Sequence, residues 1–178
     1  MIRTAARFLV LCGLLLGLAG TSGAAQEVTL PAWTGGPTPP LVLTDLEGRL
    51  HDVADYRGTV LLVNFWATWC APCREELPSL QRLRDVLRGR PFEVLAVNVS
   101  EGDPRVKRFL ADLPFRVPVL LDRNGDAQRT WRVRGLPATF LLDRQGAIRF
   151  WYLGELDWAQ PAIRRTVESL LPASASAR

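Results

Sequence analysis

The sequence predicts a three-layer α/β domain built on a mixed central sheet flanked by helices. Three observations predict it. Residues 59–65 ("TVLLVNF") and 92–99 ("FEVLAVNV") are continuous apolar, β-rich runs, the pattern of strands covered on both faces. Between such runs lie segments with apolar residues at helical spacing. Near the end, residues 138–154 ("ATFLLDRQGAIRFWYLG") alternate about a turn at 144–146, as a closing hairpin does. Strands alternating with helices and followed by a hairpin define the class.

Taken in order, residues 26–40 ("QEVTLPAWTGGPTPP") carry no periodicity and are rich in Pro, Gly and Thr, which predicts a linker. Residues 41–58 predict a hairpin turning at Glu47 and Gly48. The central strand at 59–65 runs into a helix on which Leu77, Leu80, Leu83 and Leu87 share a face, with Pro78 inside it predicting a kink. A second buried strand, 92–99, precedes a helix from Asp103 or Pro104 to Leu113, with Asp103 as N-cap. "PVLLD" predicts a strand, Asn124 and Gly125 a turn, and 127–131 a short helix. After the hairpin, an amphipathic helix is expected over 158–171. The expected organisation is therefore an N-terminal leader at 1–25, a linker at 26–40, a domain at 41–172 and a disordered tail at 173–178.

The leader bounds the compartment. Arg3 and Arg7 precede an apolar run from Phe8 to about Ala19, and Gly23 and Ala25 occupy the third and first positions before a cleavage at Gln26. That is the pattern of a secretory signal peptide. The run is short for a membrane span, which needs roughly 17–25 residues, yet extension to Ala25 leaves a retained anchor as the alternative. Either way the domain is expected outside the cytoplasm, in the bacterial periplasm or its equivalent. The formal charge is +4; with Arg3 and Arg7 set aside it rests on 20 basic against 18 acidic residues. A balance so near neutral and so scattered excludes a nucleic-acid partner.

The chain has three cysteines. Cys12 falls inside the leader, with Leu11 before it where a lipidation site would want a small residue. That leaves Cys70 and Cys73 in "FWATWCAPCREE", where a strand gives way to a helix. Pro72 suits a first helical turn. Cys70 then sits at the N-cap end, among free backbone donors and the positive end of the helix dipole, which favour thiolate over thiol. Cys73, one turn further in, is close enough to close a disulfide and more buried. The asymmetry suits a two-step exchange, with Cys70 attacking a substrate disulfide and Cys73 resolving the mixed disulfide. A structural staple is a weak alternative, because so short a loop restricts the unfolded chain little. Zinc wants four ligands, whereas His51, the single histidine, lies far upstream, where a solvated surface role is expected. Thiolates suit Cu(I), so a Cu(I)-binding metallochaperone using the same pair stays open, although such chaperones of this general fold usually space their cysteines three apart and add a histidine. "FWATWC" lacks the upstream Pro and correctly spaced Thr of a peroxidatic cysteine.

"NFWATWCAPCREELPSL" and "RGLPATFLLDRQG", with "FEVLAVNVSEGD" and "VPVLLDRNGDAQRTWRV" in order between them, resemble the TlpA/ResA-like branch of the thioredoxin superfamily. The resemblance spans roughly residues 41–171. It implies a thioredoxin-like fold with an N-terminal β-hairpin and a central α/β insertion, and a thiol–disulfide oxidoreductase that needs no cofactor and no metal. Cys70 matches the exposed nucleophile and Cys73 the resolving cysteine, the two forming the redox disulfide. Pro137 matches the proline that is cis in this superfamily; otherwise it merely breaks the chain before a strand. If cis, it frees the backbone of Leu136 to pair with an extended substrate segment. Trp69 and Pro72 would wall that groove, unless Trp69 is an ordinary core aromatic. Thioredoxin's buried Asp is replaced by Asn64, which cannot accept a proton. Glu76 matches the glutamate three residues past the second cysteine, placed to take the proton of Cys73; alternatively it is, like Glu75, a solvated acid favoured by the helix dipole. Implied partners are protein disulfides, with apocytochrome c or a copper-site protein as candidates, and a membrane thiol reductant as electron donor. A monomer is expected, soluble after leader cleavage or anchored to the membrane by its N-terminus.

Overall fold

In the computed structural model, which describes residues 28–173, β1 (Val42–Thr44) and β2 (Leu50–Asp52) form an antiparallel hairpin. A 3₁₀ turn, Val53–Tyr56, leads into β3 (Val60–Trp66). The chain continues through α1 (Ala71–Val86), β4 (Phe92–Val99), α2 (Asp103–Leu110), β5 (Val119–Asp122) and α3 (Asp126–Thr130). It closes with β6 (Ala138–Leu142), β7 (Ile148–Leu153) and α4 (Pro161–Leu170). The leader at 1–25 and the tail beyond residue 173 lie outside the described residues.

The five long strands form one mixed sheet in the order β5-β4-β3-β6-β7. Every residue of β3 is buried, which is why its sequence is apolar without alternation. β4 and β5 pair parallel to their neighbours because α1 and α2 carry the chain back along the sheet. β6 and β7 are joined by a tight turn and pair antiparallel. The strand predicted at 59–65 is thus found one residue later, with Trp66 also in the ladder. Its side chains divide the core into layers. Trp66 packs on Phe109 of α2, ring centroids 5.6 Å apart. Phe65 points the other way, to Trp131 at 5.6 Å and Phe140 at 6.0 Å, and Trp131 in turn meets Phe140 edge-on at 5.2 Å.

The predicted linker is docked from Leu30 onward. Leu30 is buried, and Trp33 packs edge-on against Phe140 and Trp151. Backbone bonds from Trp33 to Arg149 and from Trp151 to Pro31 lay the segment along β7. Further on, Ile148 N–H donates to the Thr38 hydroxyl and the Trp131 indole to the Pro40 carbonyl. The apolar residues of this proline-rich stretch have a sheet edge to cover, and burial outweighs the absence of local periodicity.

Three other boundaries differ from expectation. The N-cap of α2 is Gly102, and Asp103 lies in the first turn, where its carboxylate pairs with Arg123 at 2.8 Å. The same helix stops at Leu110, ahead of the bias that Pro114 places on Leu113. The final helix begins at Pro161 because Trp158 is turned into the core and Asp157 caps a turn through Ala159 N–H.

The small hairpin turns where predicted, with Gly48 at φ 82°, a conformation that costs glycine nothing. His51 is not solvated. Its Nε2–H donates to the buried Asp45 carboxylate at 2.9 Å, and its Nδ1 accepts from the Tyr56 hydroxyl at 2.6 Å. Burial would raise the Asp45 pKa, but donors from His51, Arg49 and the Glu47 backbone outweigh it and drive the group far down.

The aromatic layer beneath β3 is expected to carry much of the stability. Trp131→Ala should lower the unfolding free energy by about 3–5 kcal/mol, measured by urea denaturation of the oxidised protein; an unchanged midpoint would contradict this packing.

Candidate active site

The site forms where β3 ends. Residues 67–69 leave the sheet, and Cys70 caps α1: its Sγ accepts from Cys73 N–H at 3.3 Å, and Pro72 occupies the first turn. This is the arrangement the sequence predicts for Cys70, a sulfur facing unpaired backbone donors at the positive end of a sixteen-residue helix. Cys70 and Cys73 are joined in a disulfide. Cys73 is fully enclosed, whereas Cys70 keeps 5% of its surface. The attack path is therefore narrow and opens only at Cys70.

The loop before the cysteines is fixed by a carboxylate that the sequence reading missed. Glu101, just past β4, accepts from Thr68 N–H at 2.7 Å, from the Thr68 hydroxyl at 2.6 Å and from Asn98 Nδ2 at 2.8 Å. Arg105 Nε lies 2.7 Å from the same group and donates to the Thr68 oxygen at 2.9 Å. Burial would raise the Glu101 pKa, but these donors and the Arg105 charge hold it below the ordinary glutamate value. It is an anion at neutral pH and clamps the loop. Held this way, Trp69 points outward with 62% of its surface exposed, which removes the core-aromatic alternative. Pro72 is exposed beside it.

Glu76 lies on the cysteine-bearing side of α1, one turn beyond Cys73, and is not a solvated acid: only 1% of it is exposed. Glu75 alone is solvated. Asn64 Nδ2 donates to Glu76 Oε1 at 2.6 Å and to Thr139 Oγ1 at 2.9 Å. On the other side, Leu156 N–H and the Trp158 indole N–H donate to Oε2 at 3.3 and 3.2 Å. Burial raises the Glu76 pKa from 4.5 to about 7, against the pull of the Trp158, Asn64 and Leu156 donors, with the Glu155 charge adding to the rise. Ser79, one turn further, bridges the same segment, accepting from Trp158 N–H at 3.0 Å. Trp158 and Leu156 could not be found from the sequence, since the tryptophan read as the start of the last helix.

The Leu136–Pro137 peptide is cis. Because Ala138 pairs with Phe65, Pro137 falls opposite Trp66, the last residue of β3, from which the cysteine loop departs. Pro137 is buried and Leu136 half-buried, and Gly154 N–H donates to the Pro137 carbonyl at 2.9 Å. The sheet therefore brings Cys70, Cys73, Glu76, Trp69, Pro72, Leu136 and Pro137 to one end.

Residues 34–151 match the AhpC/TSA family. The chain is 36% identical over 138 residues to the thiol-disulfide oxidoreductase ResA of Geobacillus thermodenitrificans, covering 78% of each. Among solved structures, a thiol:disulfide interchange protein of the thioredoxin family from Chlorobium tepidum superposes with a TM-score of 0.66 at 26% identity, over 75% of this chain and 94% of that one. The exposed lipoprotein thioredoxin of Streptococcus pneumoniae superposes with a TM-score of 0.65 at 26% identity, over 74% and 99%.

The buried carboxyl has a consequence for stability. Its folded-state pKa, about 7, lies above the ordinary 4.5, so the protonated form is the one folding favours. That contribution is complete below 4.5 and is lost as pH rises to about 7, a fall of about 3 kcal/mol. Glu76→Gln should abolish this fall, read as unfolding free energy of oxidised protein against pH; an identical slope in the variant would contradict the assignment.

Proposed function

The chain belongs to the AhpC/TSA family and, within it, to the ResA-like thiol–disulfide oxidoreductases of the thioredoxin superfamily, and from this premise we propose that it is an exported reductase of protein disulfides. The observation that carries the reading is Glu76: a carboxylate enclosed one turn beyond the resolving cysteine, with its pKa pushed up to about 7, can both take and return a proton near neutrality.

Reduction proceeds in two exchanges. The Cys70 thiolate attacks one sulfur of a substrate disulfide; a mixed disulfide forms and the other substrate sulfur leaves as a thiolate. The Cys73 thiol then passes its proton to the Glu76 carboxylate, and the resulting thiolate attacks Cys70 Sγ. The Cys70–Cys73 bond forms, the second substrate sulfur leaves, and two electrons have moved from the chain to its client. A membrane thiol reductant restores the pair. Trp69 and Pro72 at the exposed rim, with Leu136 and Pro137 across the end of the sheet, form the groove for the client backbone.

Export is supported by the leader pattern at 1–25 and by the likeness to an exposed lipoprotein thioredoxin. Suitable clients are exported cysteine pairs that must be reduced before use, those of apocytochrome c or of a copper-site protein. Among the described residues the cysteine pair joins no larger His, Cys, Asp and Glu cluster, so the Cu(I) alternative rests on two thiolates.

Cys73→Ser should accumulate a covalent complex between Cys70 and its client. Glu76→Gln should slow client release by about a hundredfold or more, measured as decay of the mixed disulfide against pH; unchanged decay would remove Glu76 from the chemistry. Reduced protein that retains one Cu(I) and exchanges no disulfide would replace the reductase reading with the metallochaperone.

A further inference from the structure

The two oxygens of Glu76 face different chemistry. Oε2 receives the Leu156 N–H and the Trp158 indole N–H, groups that donate and cannot accept. A protonated Glu76 therefore cannot carry its hydrogen on Oε2 without setting a donor against donors. The hydrogen must sit on Oε1, where the partner among the described residues is Asn64 Nδ2, also a donor. As it stands, the arrangement fits only the ionised glutamate.

Asn64 holds the remedy. Its residue is fully buried, and its Oδ1 has no hydrogen-bond partner among the described residues, while its Nδ2 is shared between Glu76 and Thr139. An amide turned over about its last bond exchanges oxygen for nitrogen in nearly the same space. We propose that Asn64 is a positioning residue that turns over when Glu76 changes protonation state, donating to the carboxylate and accepting from the carboxylic acid. Thr139 makes the motion possible, because a hydroxyl accepts from Nδ2 in one state and donates to Oδ1 in the other. In the orientation observed the amide oxygen is unpaired, so that end gives up no hydrogen bond when the amide turns, and the proton on Glu76 decides. The proposal rests on Glu76 as the proton carrier for Cys73 and adds what lets a closed site hold that proton and give it back. An Asp here would place a second carboxylate 2.6 Å from the first; Asn supplies the switchable bond without a competing charge.

The other groups around Glu76 do not provide this. Glu155 acts on it only through charge, Asp157 is paired with Arg82, and Cys70 and Cys73 do not titrate while joined. The oxidised protein therefore isolates the event. In its proton and nitrogen-15 spectra, the Asn64 side-chain amide protons should lie against the Thr139 methyl at alkaline pH and lose that contact at acid pH. The midpoint should be the one at which the Glu76 carboxyl carbon titrates. In Glu76→Gln, a permanent stand-in for the acid form, the turned-over contacts should persist at every pH. Asn64→Leu removes the stronger, charged bond from the ionised form and the weaker one from the acid, so the Glu76 midpoint should rise by about one pH unit. Amide contacts that stay constant while Glu76 titrates, or a midpoint unmoved in Asn64→Leu, would overturn the proposal. The two readings fail separately. Constant Asn64 contacts together with slow client release in Glu76→Gln would leave the base and remove the turn. A turning Asn64 together with normal release would leave the turn and remove the base.

Discussion

Everything at the cysteine end of this molecule depends on a carboxyl group taken out of water. A buried carboxylate without partners would be prohibitively costly, and Glu76 is tolerated because two parts of the fold converge on it. Asn64 reaches it from the central strand, while Trp158 and Leu156 reach it from the segment before the last helix. Helix α1, which bears Glu76, also carries Ser79, which fastens that segment a second time. The position of α1 over the sheet is thus set by directional bonds as well as by apolar packing. The cysteines on its first turn inherit that accuracy.

Two glutamates near the disulfide are driven in opposite directions by their surroundings. Glu101 has Arg105 and the Thr68 donors against it and stays charged. Glu76 has an amide, an indole and a backbone N–H but no cation among its bonded partners, with Glu155 nearby, and its pKa rises. The first therefore suits a fixed structural anion that shapes the approach to Cys70. The second suits a group that changes charge during turnover. One residue type can suit both because burial penalises the anion and only a nearby positive charge, or enough donors, offsets the penalty.

The sheet and its helices were legible because their signals are local. Runs such as residues 59–65 are apolar throughout only when both faces are covered, and the leucines of α1 mark its buried stripe. The cysteine pair was legible for the same reason: strand, cap, proline and helix are contiguous. Glu76 could be placed one turn past Cys73 but not assigned to water or to the interior, since that depends on Trp158, 82 positions away. Glu101 was missed because its partner, Thr68, is 33 positions distant. Residues 30–40 misled through composition. Proline and glycine describe how a segment bends, not what it lies against, and the stretch docks through Leu30 and Trp33.

That docked segment has a counterpart across the sheet. Strand β7 is flanked by Ala32 and its neighbours, and β5 is met by the small hairpin through the Asp45–Leu120 bridge and the Leu46 N–H bond to Val119. Unsatisfied strand borders invite polymerisation with other chains, and here both flanks carry a tenant supplied by the N-terminal part of the same polypeptide. Neither flank of the sheet is then open to a visiting polypeptide, so backbone pairing with the client proposed above would fall to the loops at the disulfide end.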